Sequence, residues 1–295
     1  MSVLSVASSC CQPSSAWLSQ PRSSPGTNRM VNLCLLDSHL HLQDARFEGI
    51  RAEILLRAAG AGVSRMLCNA TREGDWREVL HLSAACPAVI PFIGIHPWYA
   101  ASVETSWNKR LAAVIATNRC GIGEAGLDGK CRIPVASQET VLAVQLELAR
   151  EYQRPAVLHC VGAWGRLLDM LERLAKTGDL PPLMIHSFGG SLEIMHRLVR
   201  LGCWISFSAR LIDRERHTLQ RVFCATPLDH ILLETDAPDQ LPADLKNSAT
   251  TPYNEPANIA DLYRQAAQLR HMNLDDFTRQ IWNNGEIYAD SLLPR

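Results

Sequence analysis

No run of about 18 apolar residues occurs anywhere in the 295-residue chain, so the sequence offers no ordinary membrane-spanning helix. No C-x-x-C pair occurs among its ten cysteines, which leaves a thiolate zinc site without its usual frame. Cys34, Cys68, Cys120, Cys160 and Cys203 instead lie in or beside strand-like runs. There they read as small buried hydrophobes of a reducing, cytoplasmic compartment rather than as a disulfide framework. Charge of one sign is not in excess either. The formal net charge is -1, so the chain as a whole does not attract a polyanion, and a nucleic-acid substrate would need a local basic surface. Neither a G-x-S-x-G elbow nor an H-E-x-x-H helix is present, which removes support for serine-esterase and zincin chemistry.

Two glycine-rich stretches imitate nucleotide-binding motifs and fail on detail. Gly121 to Gly126 matches G-x-G-x-x-G, but the turn-like L-D-G-K and Pro134 that follow leave no helix N-terminus there to hold a pyrophosphate. Gly123 to Lys130 imitates a phosphate loop with five residues instead of four between its glycines. Cys131 also stands where Ser or Thr would hold magnesium.

What is present is globular: 47% apolar and 20% charged residues. The length suits one α/β barrel of about 250 residues. Residues 1–29 stand apart, with nine serines, three prolines and no acidic residue. They read as a disordered or targeting tail, or as a mis-called start with Met30 the true first residue. From residue 30 to 295, strand-like runs beginning near Leu33, Val63, Ile90, Cys120, Ala156, Leu183, Cys203 and Ile231 alternate with helical patterns. This alternation predicts a single-domain (β/α)8 TIM barrel. Leu167, Met170, Leu171 and Leu174 keep the spacing of a buried helix face; Ile194, Leu198 and Leu201 keep another after a Ser191 N-cap. A last helix around Leu274–Trp282 is expected to pack on the outside, and Leu241–Tyr253 to form the longest loop.

The first strand reads L-C-L-L-D-S-H-L-H, and strand alternation puts His39 and His41 on one face. A lone histidine at a strand end is more often a hydrogen-bonded core residue than a ligand. Here, however, other strands end the same way, with Glu124, His159, His186 and Asp236. All six are expected at the C-terminal strand ends, the barrel face where active sites are built. As a purely structural network they would be costly, because each unpaired buried polar group costs about 1 to 3 kcal/mol. The clustering therefore reads as a metal site.

At these residues the chain resembles the TatD family of metal-dependent hydrolases, within the wider amidohydrolase-like barrels. The ordered series is D-S-H-L-H, G-I-H-P, G-E-A-G-L-D, L-H-C, I-H-S-F-G-G, L-L-E-T-D-A-P and N-E-P, and it spans nearly everything after Met30. The resemblance implies two divalent ions (zinc, manganese or magnesium), with Glu124 bridging them. It also implies that His39, His41 and Asp236 hold one ion and that His159 and His186 hold the other. Two departures stand out. Val161, Gly162, Ala163 and Trp164 follow His159 where many members place an arginine, and Tyr253 precedes N-E-P where an arginine is common.

The only nucleophile the sequence offers is a metal-held water, with Asp236 as the base that takes its proton. Four imidazoles and two carboxylates suit zinc or manganese better than magnesium. His96, Lys130 and Arg132 are candidate substrate contacts, among further rim residues Arg72, Trp98, Tyr99, Trp164, Arg210 and Arg214. Cations beside aromatics suit a short single strand. The expected activity is a deoxyribonuclease-like phosphodiesterase acting on DNA. The alternative is a small-molecule amidase, lactonase or phosphoesterase with the same two ions, favoured by the neutral charge and the missing arginines. A binding scaffold that kept its metals is the non-enzymatic reading.

Overall fold

Parallel strands and helices alternate along the chain. The strands are β1 (Leu35–Leu40), β2 (Val63–Asn69), β3 (Val89–Phe92), β4 (Ile122–Asp128), β5 (Ala156–Val161), β6 (Leu183–Ile185), β7 (Trp204–Phe207) and β8 (Ile231–Leu233). The computed structural model describes residues 34–243, 245 and 253–293. The tail 1–29, and most of the segment read as the longest loop, lie outside them. Every strand begins within two residues of the start expected from the sequence.

Hydrogen bonding orders the strands as β1-β2-β3 and β4-β5-β6-β7-β8, all parallel. Isolated parallel bridges join the two sheets at Phe92–Gly121 and at Leu40–Ala237. At the first seam Gly121 N donates to Pro91 O at 3.0 Å; at the second His41 N donates to Ala237 O at 2.7 Å. This is the (β/α)8 architecture, and its strand ends gather on one face. Register shifts fall between Asp37 and Leu40 on β1 and between Ile122 and Ala125 on β4. Such irregularities re-aim side chains, and here they flank His39 and Glu124.

The helices α1 (Arg51–Gly60), α2 (Glu73–Ala85), α3 (Trp107–Thr117), α4 (Val135–Glu151), α5 (Trp164–Ala175), α6 (Leu192–Arg200), α7 (His217–Ala225), α8 (Ile259–Leu269) and α9 (Leu274–Ala289) cover the sheets. The expected faces appear: Leu167 and Leu171 are buried on α5, and Ser191 caps α6 by accepting from Ile194 N. Among the described residues no helix is long and apolar enough to cross a membrane. Cys68, Cys120, Cys160 and Cys203 are buried as read, but Cys34 is exposed, because β1 begins only at Leu35.

A second apolar cluster lies inside the ring of strands, built from Leu36, Leu67, Ile90, Phe92, Val157, Met184 and Leu232. Its floor is Tyr288, stacked on Phe92 at 6.2 Å, together with Leu292. Here the expectation for the last helix needs correction. Phe277 and Ile281 of α9 pack on the outer core, but the helix runs on to Ala289 and its end closes the barrel bottom. Asn283, Asn284 and Gly285 interrupt the apolar pattern and hide this continuation. The reason is local: the Asn284 amide donates to Leu228 O and Ile231 O, both at 2.8 Å. Gly285 lies so close to Leu36 that a Cβ would meet its Cδ1 at 2.5 Å.

Candidate metal centre

Alternation along β1 aims both histidines the same way, and His39 Nε2 and His41 Nε2 stand 3.2 Å apart. His186 directly follows β6, and Asp236 lies three residues past β8 with a left-handed φ of 55°. Glu124 and His159 lie within β4 and β5 rather than at their last residues, because these two strands rise past the site to Asp128 and Val161. Gly126 permits this extension, since a Cβ there would meet His159 O at 2.1 Å. The fold thus brings all six sequence-derived candidates together.

The two oxygens of Glu124 divide the cluster. Oε2 lies 3.3 Å from His39 Nε2 and 3.4 Å from His41 Nε2, while Asp236 Oδ1 lies 3.5 and 3.6 Å from the same nitrogens. Oε1 lies 3.0 Å from His159 Nδ1 and 2.8 Å from His186 Nε2, and those nitrogens are 3.0 Å apart. Ligands about 2.0–2.1 Å from a tetrahedral ion are separated from one another by about 3.3–3.4 Å. The first set has that spacing and the second is tighter. Ring nitrogens facing each other at such distances share at most one proton, which leaves lone pairs that a bound cation would answer. The donor set fits metal ions in both chemistry and spacing.

Outer contacts fix the rings. His41 Nδ1 is 2.8 Å from Asn69 O, an acceptor only, so its proton sits on Nδ1 and Nε2 is free to ligate. His186 Nδ1 and His159 Nε2 face the carboxylates of Glu234 and Asp128 at 3.4 and 3.6 Å, without well-formed hydrogen bonds. His39 Nδ1 is buried without a partner among the described residues. His96 differs. The Trp98 backbone N–H donates to its Nδ1 at 3.2 Å, so the neutral ring carries its proton on Nε2, 3.3 Å from Glu124 Oε1. Although His96, Glu124 and His159 lie within reach of one ion, that nitrogen is a donor.

Without an ion, protons supply the positive charge. Burial alone would push the Glu124 carboxyl up, but the imidazoles of His186, His96 and His39 hold it well below the usual range. Burial opposes charge on His41, yet Asp236 and Glu124 push it up to about 9. The same pairing, against burial, brings Asp236 down to about 2. A divalent cation would displace such protons.

A family model described as TatD related DNase matches residues 36–288. The chain belongs to this family. It is 30% identical over 244 residues to the 3′-5′ ssDNA/RNA exonuclease TatD of Pectobacterium parmentieri, covering 80% of this chain and 92% of that one. The enzyme of the same name from a Rahnella species is 31% identical over 239 residues, covering 78% and 89%. A crystal structure of a TatD homologue from Escherichia coli K12 superposes with a TM-score of 0.80 at 28% identity, covering 89% of this chain and 100% of that one.

In this TatD-family chain a cavity of 440 Å³ opens over the cluster, and its wall includes Arg46, Arg72, His96, Trp98 and Tyr99. Of the expected substrate contacts, His96 lines it. Lys130 and Arg132 are exposed and do not. The turn after β4 folds back on Asp128, whose Oδ1 accepts from Lys130 N at 2.7 Å, and the Lys130 side chain lies along Gly162 instead. Trp164 packs on Phe188, and Arg210 is half-buried beside Gly189. Sequence reasoning missed Arg46, which lies between Asp44 and Asp239 at 2.9 and 2.8 Å. It also missed Asp37, which pins β1 to the segment after β8 by accepting from Thr235 N at 2.9 Å and Thr235 Oγ1 at 2.5 Å. Glu234 and Asp128 were missed too. All three carboxylates stand inside the quoted motifs, and for Asp128 and Glu234 the signal is the rule that a ligating imidazole has a carboxylate or carbonyl behind it.

Proposed function

We propose that the chain is a divalent-metal-dependent phosphodiesterase that acts on single-stranded nucleic-acid ends, DNA foremost. In this reading His39, His41 and Asp236 hold one ion, His159 and His186 hold a second, and Glu124 bridges them. The observation that carries it is the division of Glu124, with Oε2 facing one histidine pair and Oε1 the other. Family membership and the names of the relatives support the substrate class. The imidazole-rich set favours zinc or manganese over magnesium.

Bound ions would lower the pKa of water toward 7 and neutralise charge gathering on the phosphoryl oxygens. The chain's own groups do the rest. Asp236 orients the attacking water and takes its proton, while the Gln240 amide, donating to Oδ2, holds the carboxylate in place. His96 offers its Nε2–H to a non-bridging phosphoryl oxygen. Arg72, lying over the Tyr99 ring at 5.4 Å on the cavity wall, meets the next phosphate.

A second reading, a small phosphoester or lactone substrate, is favoured by Val161 and Tyr253 and by the pairing of Arg46 with two carboxylates. The test is metal stoichiometry of the purified protein combined with a hydrolysis panel of single-stranded DNA, duplex DNA, RNA, simple phosphodiesters and lactones, before and after chelation. The proposal expects two ions per chain and chelator-sensitive cleavage of single-stranded DNA ahead of duplex. Hydrolysis that survives verified metal removal would overturn it, and activity confined to lactones would move the assignment to the second reading.

A further inference from the structure

Trp98 is 58% exposed on the wall of the cavity that opens over the donor cluster. An indole in that position is ordinarily free to turn, but this one is tied. Its Nε1–H donates to Asp128 Oδ2 at 2.7 Å, its backbone N–H donates to His96 Nδ1, and its ring stands edge-to-face with His96 at 4.9 Å and 84°. Asp128 is in turn fixed from the other side, where Lys130 N and Cys131 N donate to Oδ1 at 2.7 and 3.2 Å. Its Oδ2, which holds the indole, is also the oxygen 3.6 Å from His159 Nε2. One carboxylate oxygen therefore holds an exposed aromatic plate and faces, at 3.6 Å and short of a formed hydrogen bond, the outward nitrogen of a candidate metal ligand.

We propose that Trp98 is the platform on which the terminal base of a single strand stacks, and that through Asp128 it also positions His159. The inference rests on the nuclease reading for its substrate and on the Trp98–Asp128–His159 chain for its positioning role. An exposed aromatic of this kind accepts any base, because every base has a π face. Its fixed orientation means that no ring rotation has to be frozen on binding. The bound base and the ligand geometry then share one anchor.

The experiment compares wild type, Trp98→Phe and Trp98→Ala as full-length, metal-loaded proteins. The substrates are two single-stranded oligonucleotides that differ only in whether the terminal nucleotide carries a base. Cleavage of both ends is followed, and metal affinity is measured separately by titrating zinc into the metal-free proteins. Wild type should prefer the base-bearing end by about 5- to 150-fold in kcat/KM, the range of one base–aromatic stack. Trp98→Phe keeps a ring and should retain most of the preference, whereas Trp98→Ala should erase it. Both lose the bond to Asp128, so both should bind zinc more weakly, toward the tenfold end of the 10- to 100-fold typical of lost outer contacts. Asp128→Asn should weaken zinc at least as much. Equal cleavage of the two ends by wild type, or an unchanged preference in Trp98→Ala, would overturn the stacking role. Unchanged zinc affinity in Trp98→Phe would overturn the positioning role. If wild type cuts neither oligonucleotide but hydrolyses small esters, the nuclease reading fails and takes the stacking role with it. The zinc titration still decides the positioning role.

Discussion

The half of the donor cluster at the β1/β8 seam keeps its negative charge among the donor atoms, whereas the half on β5 and β6 keeps it behind them. At the seam, Asp236 Oδ1 stands with His39 and His41 at 3.5 and 3.6 Å, and the ring of His41 is backed only by a carbonyl. Across the site, the donors beside Glu124 Oε1 are imidazole nitrogens, and the carboxylates Asp128 and Glu234 face their far sides. A carboxylate among the donors attracts the cation directly and offers a proton acceptor next to it. A carboxylate behind an imidazole fixes the tautomer and makes the ring a better donor. The two halves should therefore fail in different ways when one charge is removed.

Glu124 belongs to both halves and should give the largest effect. Glu124→Gln removes the charge shared by the two candidate sites, so metal content should fall in both and activity should fall to near background. Measured stoichiometry decides this; a variant that keeps two ions would show that Glu124 is not the bridge. Asp236→Asn comes next. It leaves a neutral oxygen among the donors and removes the proton acceptor, so occupancy should largely survive while kcat falls by roughly 10²- to 10⁴-fold. Full activity with full metal would exclude Asp236 as the base.

Glu234→Gln tests the other half. The amide oxygen can still accept from Ser187 N, which now donates to Glu234 Oε1 at 2.7 Å, so the loop should hold its shape. The charge behind His186 is lost, and one of the two proposed ions should bind about 10- to 100-fold more weakly. A two-site metal titration should show a single affinity change, with the ion at the seam unaffected. Equal weakening of both sites would mean that the halves are not separable.

The contrast between the halves also explains what was legible in the sequence. His39 and His41 could be paired from period-two alternation alone, and the strand starts followed from apolar runs, because both signals are local. Asp128 and Glu234 carry no local signal. They become informative only when the closed ring of strands sets Asp128 against His159, 31 residues away, and Glu234 against His186, 48 residues away. Lys130 and Arg132 misled for the same reason. A sequence says that a cation follows a strand end, but not that the turn will fold back on Asp128 and carry the side chain away from the cavity. The run Asn283–Asn284–Gly285 hid the barrel floor because its residues serve contacts with Leu228, Ile231 and Leu36 rather than helix periodicity.

The smallest expected effect is on stability, and it asks whether protons stand in for the ion at the seam. In the metal-free protein the carboxylates of Asp236 and Glu124 raise buried His41 to about 9, from an ordinary value of 6.5. A group raised on folding contributes stability that is complete below its unfolded pKa and is lost as pH rises through its folded one. Asp236, lowered to about 2 from 3.8, contributes in the opposite sense, with its share present above pH 3.8 and lost as pH falls through 2. Between pH 4 and 6.5 both contributions are therefore in place, and between 6.5 and 9 that of His41 disappears. The same direction holds for His186 and His159, which, against burial, neighbouring carboxylates also raise, and for Asp37, which burial pushes up to about 8. The Tm of the metal-free protein should fall by a few degrees across that upper interval. With the ion bound, His41 is already deprotonated and the cation supplies the charge, so the Tm should hold or rise slightly as proton competition fades. Paired calorimetric scans at pH 6.5 and 9, with and without zinc, measure the difference. A metal-free Tm that is flat or rising over this range would mean that protons on His41 and its raised neighbours His159 and His186 do not balance the carboxylates of the site.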